Sequence, residues 1–182
     1  MPYTLDQFTG DARAVLQAEN NPAGREKVRE LTEKLLTNQA FVAEHFPADR
    51  PVGRHKVFED EATGFVVLAH INDKAHKSPP HDHGSSWAAY GQVTEHTDMT
   101  VWQRTDGGSG KGDAALAPDR EYRLMPGSVG LYDVGEIHSI SFPDGARFLR
   151  VTGKDLDYVE RLKYDAAAGK ATVIESASAG KA

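Results

Sequence analysis

The 182-residue chain contains no cysteine, no long apolar run and no excess of positive charge. The absence of cysteine excludes disulfides, thiolate metal ligands and cysteine nucleophiles. No apolar stretch approaches the roughly 20 residues that a membrane-spanning helix needs. The formal net charge of −6 argues against nucleic acid or an anionic membrane as a partner. The N-terminus lacks a basic start followed by an apolar stretch, so we expect no secretory signal and a cytoplasmic protein.

The composition is that of one ordinary globular domain, with 39% hydrophobic and 26% charged residues. Such a chain can bury a substantial core. The texture divides it into three parts. We expect residues 1–50 to be a helical segment packed on a barrel, residues 51–165 to form a β-rich barrel and a following helix, and residues 166–182 to be a flexible tail because they contain few apolar side chains.

The first part has two helical patterns. Thr4 or Asp6 can cap a helix that runs to about Glu19, with apolar residues at helical spacing. A second helical segment opens with the Asn-Pro pair at residues 21–22 and closes before Pro47.

After residue 51 the chain changes to short β-rich runs separated by turn residues. This spacing favours a sandwich or barrel over a parallel α/β sheet. We also predict a mobile surface loop over residues 105–119 and a final helix over Asp155–Tyr164. The predicted strands are Val52–Phe58, Gly64–Ile71, His81–Tyr90, Thr97–Arg104, Arg120–Met125, Val129–Asp133, Ile137–Phe142 and Ala146–Thr152.

Three histidines carry the chemistry that the sequence suggests. His81 and His83 lie two residues apart, so on a strand both imidazoles point to one side. His138 lies in a second strand-turn-strand segment. Three neutral imidazoles that converge in a barrel would bind a divalent metal and leave open positions for a substrate and oxygen. Without cysteine, the ligands available suit iron, manganese, nickel or zinc.

The two histidine segments, "SPPHDHGSSWAAYG" and "GSVGLYDVGEIHSISF", resemble the two motifs of the cupin superfamily. That family folds as a small antiparallel double-stranded β-helix barrel, so the resemblance implies a mainly β, jelly-roll-like fold with N-terminal helices. The second motif matches in spacing from Gly127 through Gly135 to His138. Asp133 and Phe142 replace the usual proline and asparagine.

The first cupin motif normally adds a glutamate as a fourth metal ligand, and Trp87 and Ala88 stand at those places here. A cupin with three histidines resembles the thiol dioxygenases, the cysteine and 3-mercaptopropionate dioxygenases. The resemblance implies Fe(II) held by the three histidines, although nickel, zinc or manganese can occupy such a site in a purified sample. It also implies that a small acidic thiol and O₂ react to give the sulfinate, in a monomer or homodimer.

The residues that handle substrate in those enzymes have changed. Phe148, Arg150 and Thr152 stand at the positions of the Ser-x-His-x-Tyr triad, and strand alternation directs Arg150 and Thr152 into the pocket. Both are candidate catalytic residues, and Arg150 is also expected to bind the acidic end of the substrate. The family's carboxylate-binding arginine maps to His55, between Arg54 and Lys56. The candidate substrate-binding residues are therefore Arg150, His55, Trp87 and Tyr90, with a place in the barrel core as the alternative for the two aromatic rings.

Two other functions stay open. One is a non-catalytic cupin that binds a metal and a small anion, and the other is a dioxygenase that acts on a diketone or flavonol-like substrate. For Arg150 the structural alternative is an ion pair with Asp133. The remaining histidines are expected at the surface rather than as metal ligands: His45, His55, His70, His76 and His96.

Overall fold

The computed structural model describes residues 2–176, beginning with three helices. These are α1 (Leu5–Ala18), α2 (Pro22–Leu36) and α3 (Gln39–His45). The predicted cap is confirmed, because the Thr4 side chain accepts a hydrogen bond from the backbone N–H of Gln7 and forms a capping box with it. The second helical pattern is divided in two, since the Asn38 side chain accepts hydrogen bonds from the first N–H groups of α3 and starts a new helix.

Short antiparallel strands make up the rest of the chain. They are β1 (Gly53–Glu59), β2 (Val66–Ile71), β3 (His76–Lys77), β4 (Ala88–Thr94), β5 (Thr97–Arg104), β6 (Gly112–Asp113), β7 (Leu116–Leu124), β8 (Val129–Tyr132), β9 (Ile137–Phe142), β10 (Arg147–Thr152), β11 (Arg161–Asp165) and β12 (Lys170–Ile174). A short 3-10 turn at Leu156–Tyr158 precedes β11.

Two sheets form the barrel. One has the order β1-β2-β10-β4-β8, and the other has the order β3-β9-β5-β7. A shared apolar cluster fills the space between them, with Tyr90 and Phe148 from the first sheet against Met99, Ile140 and Phe142 from the second. The predicted mainly β architecture, a double-stranded β-helix barrel with N-terminal helices, is confirmed.

The outer face of the first sheet packs against the helices. Alternate residues of its strands, such as Val67, Leu149 and Val151, join the helical residues Phe8 and Leu35 in a second apolar cluster. Strand alternation therefore assigns one side of β2, β4 and β10 to the helices and the other side to the barrel interior. Within residues 2–176, no helix has the length and apolar character needed to cross a membrane.

Three predicted elements are wrong in part. The strand predicted over His81–Tyr90 begins only at Ala88, and His81 forms isolated bridges. The predicted helix over Asp155–Tyr164 is the short 3-10 turn followed by β11. The predicted loop over residues 105–119 contains β6 and the start of β7.

The predicted flexible tail over residues 166–182 is also corrected for its first half. Residues 170–174 form β12, which pairs with β11 in the register Tyr164↔Ala171. This pairing uses backbone hydrogen bonds and one small buried side chain, so it does not require the apolar residues that the segment lacks. Residues 177–182 lie outside the described part of the chain.

Candidate metal centre and anion-binding cavity

The three predicted metal ligands converge at one end of the barrel. One ring nitrogen each from His81, His83 and His138 lies within 4.8 Å of the others. The ring centroid of His138 lies 4.5 Å from that of His81 and 4.8 Å from that of His83. We call this group the three-histidine cluster.

Backbone pairing positions two members of the cluster. His81 and His138 exchange both backbone hydrogen bonds, each with a donor–acceptor distance of 2.9 Å. Because directly paired residues of antiparallel strands share a face, the two imidazoles lie side by side.

The third ligand lies in a loop that β11 anchors. The buried side chain of Asp82 accepts hydrogen bonds from the N–H of Leu162 at 3.0 Å and from the hydroxyl of Tyr164 at 2.9 Å. Next to His83, Gly84 adopts a positive φ of 57°. A Cβ at that glycine would lie 2.0 Å from the carbonyl oxygen of Glu160, so only glycine allows the approach. The prediction that His81 and His83 point to one side is confirmed, but a fixed loop rather than a continuous strand produces it.

The imidazoles are neutral at physiological pH. Burial lowers the pKa of His83 and of His138 well below the usual value, and the neighbouring cluster histidines lower both further. Burial also lowers the pKa of His81, whose Nδ1 lies 3.1 Å from the carbonyl oxygen of Pro79 and leaves Nε2 available. Both ring nitrogens of His138 and Nδ1 of His83 are buried without a hydrogen-bond partner among the described residues. Neutral nitrogens with free lone pairs, arranged around one point, fit a divalent metal ion.

A cavity of about 510 Å³ opens beside the cluster. His81, Tyr90, Phe148 and Arg150 line its inner part. The hydroxyl of Tyr90 lies 3.2 Å from Nε2 of His83. The cavity therefore connects the prospective metal to an aromatic wall and a cation.

Arg150 is the unusual residue of this wall. Its side chain faces the barrel interior opposite Tyr90, and the residue is only 8% exposed. It forms no hydrogen bond or ion pair with the described residues, and its Nε is buried without a partner. The alternative in which it pairs with Asp133 is wrong, because that carboxylate is bound by Arg25. The prediction that Arg150 faces the pocket agrees with this geometry.

The other predicted site residues fall on both sides of the sheet. Tyr90 lines the cavity. Thr152 faces the interior and is fully buried, with a hydroxyl that has no partner in the described chain, but it is not among the residues that line the cavity.

Two predicted substrate-binding residues are corrected. His55 lies opposite Ala69, one of the residues that pack against the helices, and its half-buried imidazole contacts the carbonyl oxygen of Pro51 at 2.7 Å. Trp87 lies in the apolar cluster on the helix side. On β1 it is Arg54 that lines the cavity rim, one position from His55 and therefore on the opposite face.

Two residues near the site were not expected there from the sequence. His70 was expected at the surface, yet it is buried, lines the cavity and stacks on Phe148 at a centroid distance of 4.6 Å. Burial lowers its pKa well below the usual value, and the charge of Arg150 lowers it further. Arg161 was assigned to the helix that proved to be β11. Arg161 and Lys163 alternate with Leu162 and Tyr164, and this alternation of charged and apolar residues indicates a strand.

Comparisons with known proteins find only distant similarity. No family model and no curated protein matches the chain. Among solved structures, it is similar to KdgF from Halomonas sp., with 13% identity, 54% of this chain and 74% of that chain covered, and a TM-score of 0.41. A protein with a double-stranded β-helix domain from Klebsiella pneumoniae has 16% sequence identity and a TM-score of 0.40, and the match covers 61% of this chain and 80% of that chain. Oxalate oxidase in complex with glycolate has 13% sequence identity and a TM-score of 0.40, and the match covers 57% of this chain and 52% of that chain. The function must therefore be argued from the site itself.

Proposed function

We propose that this protein is an iron(II)-dependent dioxygenase that oxidises a small acidic thiol to its sulfinic acid. The observation that carries the proposal is the buried, unpaired guanidinium of Arg150 in the same cavity as the three-histidine cluster. The reaction adds both oxygen atoms of O₂ to the sulfur, so R–SH and O₂ give R–SO₂H without a further reductant.

The charges of the site favour an anionic ligand. Three neutral imidazoles leave the full +2 charge on a bound metal, which favours a thiolate over a neutral ligand. Arg150 adds a second positive charge, and removing a cation from water is costly unless an anion compensates it. A guanidinium binds a carboxylate through two parallel hydrogen bonds. A molecule with a thiolate at one end and a carboxylate at the other satisfies both charges.

The chain's own residues would orient and shield such a substrate. When bound, the metal supplies Lewis acidity and, as iron, the electrons that let a thiolate react with O₂. Arg150 holds the carboxylate, which converts a bimolecular encounter into one fixed geometry. The hydroxyl of Tyr90 offers a hydrogen-bond donor next to His83. The rings of Phe142 and Phe148 line the cavity and exclude water from it.

The substitutions at the former triad positions support the non-catalytic alternative. Phe148 cannot relay a proton, and the Thr152 hydroxyl has no hydrogen-bond partner among the described residues. A barrel that binds a metal and an anion without turnover needs no relay. The diketone or flavonol-like alternative is less well supported, because such a substrate leaves the charge of Arg150 without a carboxylate.

Oxygen consumption by the iron-loaded protein, measured over a panel of acidic thiols, neutral thiols and diketones, tests the proposal. We expect turnover of an acidic thiol, with the sulfinate identified by mass spectrometry. Arg150→Lys should lower kcat/KM for that thiol by at least about tenfold, since one ammonium cannot replace a two-point grip. The iron content and the unfolding curve of this variant should match those of the unaltered protein.

The matched control is Arg147→Lys on the same strand. The Arg147 guanidinium binds the carbonyl oxygens of Phe46, Pro47 and Ala48 outside the cavity, so this variant should keep full turnover. Oxygen consumption with no thiol would contradict the proposal and favour the non-catalytic function. Oxygen consumption with diketones alone would favour the third function.

A further inference from the structure

A second arginine near the cluster also has no partner within residues 2–176. Arg161, the first residue of β11, is partly buried. It forms no hydrogen bond or ion pair with any residue that the structure describes, and its Nε is buried without a partner. An unpaired guanidinium is costly to bury, so two of them in one region require an explanation.

The strand register directs Arg161 toward the metal ligands. His81 pairs with Lys163 in an antiparallel bridge. Continuing that register by two residues places Arg161 opposite His83. The backbone N–H of Asp82 donates to the carbonyl oxygen of Leu162 at 3.0 Å and holds the two segments together at this point. Because directly opposed residues share a face, Arg161 lies on the same side as the two histidines.

The electrostatics of Arg161 agree with this placement. Burial lowers its pKa, and the charge of Arg150 lowers it further. The charge of Arg161 in turn lowers the pKa of His81 and of His83. The carboxylate that acts on Arg161 belongs to Asp157, and Arg54 binds it at 3.0 Å. The charge of Arg150 lowers the pKa of Asp155, and Lys56 binds that carboxylate at 3.2 Å. Arg150 and Arg161 therefore repel each other, and neither forms an ion pair with a carboxylate of the described chain.

We propose that Arg161 is a second anion-binding residue and that the ligand of this site carries two carboxylates. Arg150 binds one carboxylate and Arg161 binds the other. A ligand with one carboxylate leaves one guanidinium unpaired and keeps the repulsion, whereas a dicarboxylate removes both costs. The inference that the ligand carries two carboxylates rests on the two arginines alone. The statement that the substrate is a thiol with two carboxylates rests on the proposed function.

Binding to the zinc-loaded protein tests the dicarboxylate part without any turnover. Isothermal titration calorimetry with succinate and with propionate compares ligands that carry two carboxylates and one. We expect succinate to bind at least about tenfold more tightly, the effect of one additional charged hydrogen-bonded contact. Arg161→Gln should remove that preference and leave the affinity for propionate within about threefold.

Two further variants separate a direct contact from other effects. Arg161→Lys keeps the charge and should lose most of the succinate preference, because an ammonium cannot form the bidentate contact. Lys163→Gln removes one positive charge from the same strand. Lys163 pairs with His81, but it is exposed and lines a separate surface cavity beside Pro79 and Pro80, so it controls for the loss of a nearby charge without a direct contact. This control should keep the preference. Circular dichroism of each variant checks that it is folded.

The inference is overturned if succinate binds no more tightly than propionate, or if Lys163→Gln weakens succinate binding as much as Arg161→Gln does. Equal loss of both ligands in Arg161→Gln would also overturn it. Oxygen consumption by the iron-loaded protein with mercaptosuccinate and with 3-mercaptopropionate then tests the thiol part. A succinate preference without thiol oxidation contradicts the proposed function only, whereas thiol oxidation without that preference contradicts this inference only.

Discussion

Replacing Arg150 by methionine should make the ligand-free protein more stable and impair its anion binding. Arg150 is only 8% exposed, and its buried Nε has no partner in the described chain. Replacing buried charged groups by apolar side chains of similar volume stabilises proteins by about 1–4 kcal/mol in favourable cases. Methionine has a similar length and fills irregular space, so it suits this position.

For a chain of this size, each kcal/mol corresponds to about 2–4 °C in Tm. We therefore expect Tm to rise by about 2–16 °C, measured by urea and thermal unfolding of the metal-free protein. The affinity of the zinc-loaded protein for propionate should fall by about ten- to a hundredfold, the cost of losing a charged hydrogen bond.

The control for this prediction is Arg147→Met on the same strand. The Arg147 guanidinium donates hydrogen bonds to three backbone carbonyl oxygens, including that of Ala48 at 2.9 Å. Its loss should destabilise the protein by about 1–3 kcal/mol, opposite in sign to Arg150→Met. If Arg150→Met lowers the stability by more than about 1 kcal/mol, the arginine has a structural partner and the reasoning fails.

Three further predictions concern the cluster and its surroundings. Replacing any one member of the three-histidine cluster by alanine should weaken zinc binding by more than about a hundredfold, since losing even an outer partner of a ligand costs about 10–100-fold; His76→Ala, outside the cluster, should bind zinc normally by calorimetry. Burial lowers the folded-state pKa of His70 and of the three cluster histidines, so their contribution to stability is present above pH 6.5 and is lost as the pH falls. Urea unfolding of the metal-free protein should show a loss of at most about 1.4 kcal/mol per pH unit for each histidine, and His70→Gln should reduce the slope by the share of one histidine. Gly84→Ala should lower the free energy of unfolding in urea by more than about 3 kcal/mol, because the new Cβ would lie 2.0 Å from a backbone oxygen. Gly135→Ala, at a glycine with positive φ and open space around it, should lower it by only about 1 kcal/mol. Equal losses in the two variants would refute the argument from the contact.

Local patterns in the sequence were sufficient for α1, most strands and the selection of the three histidines that converge. The cap at Thr4 and the apolar spacing of α1 act within a few residues, so the chain segment contains all the information that its conformation requires. His138 was selected because its distance from Gly127 and Gly135, two turn residues with positive φ, resembles the second cupin motif. The inward direction of Arg150 followed from strand alternation, which depends only on the period of the backbone.

Tertiary structure decided the features that depend on which segments meet. The pairing of β11 with β12 and with the loop of Asp82 turned a predicted helix into a strand and placed Arg161 opposite His83. The same rule that directed Arg150 inward could not assign His55, because alternation gives two faces and only packing against the helices shows which one is the interior. That Arg150 has no partner among the described residues is also a tertiary property. Asp133 was a candidate partner from the sequence, but in the folded chain it pairs with Arg25 on α2. Backbone periodicity is local and can be deduced from the sequence, whereas the neighbours of a buried charge depend on distant segments that only the folded chain brings together.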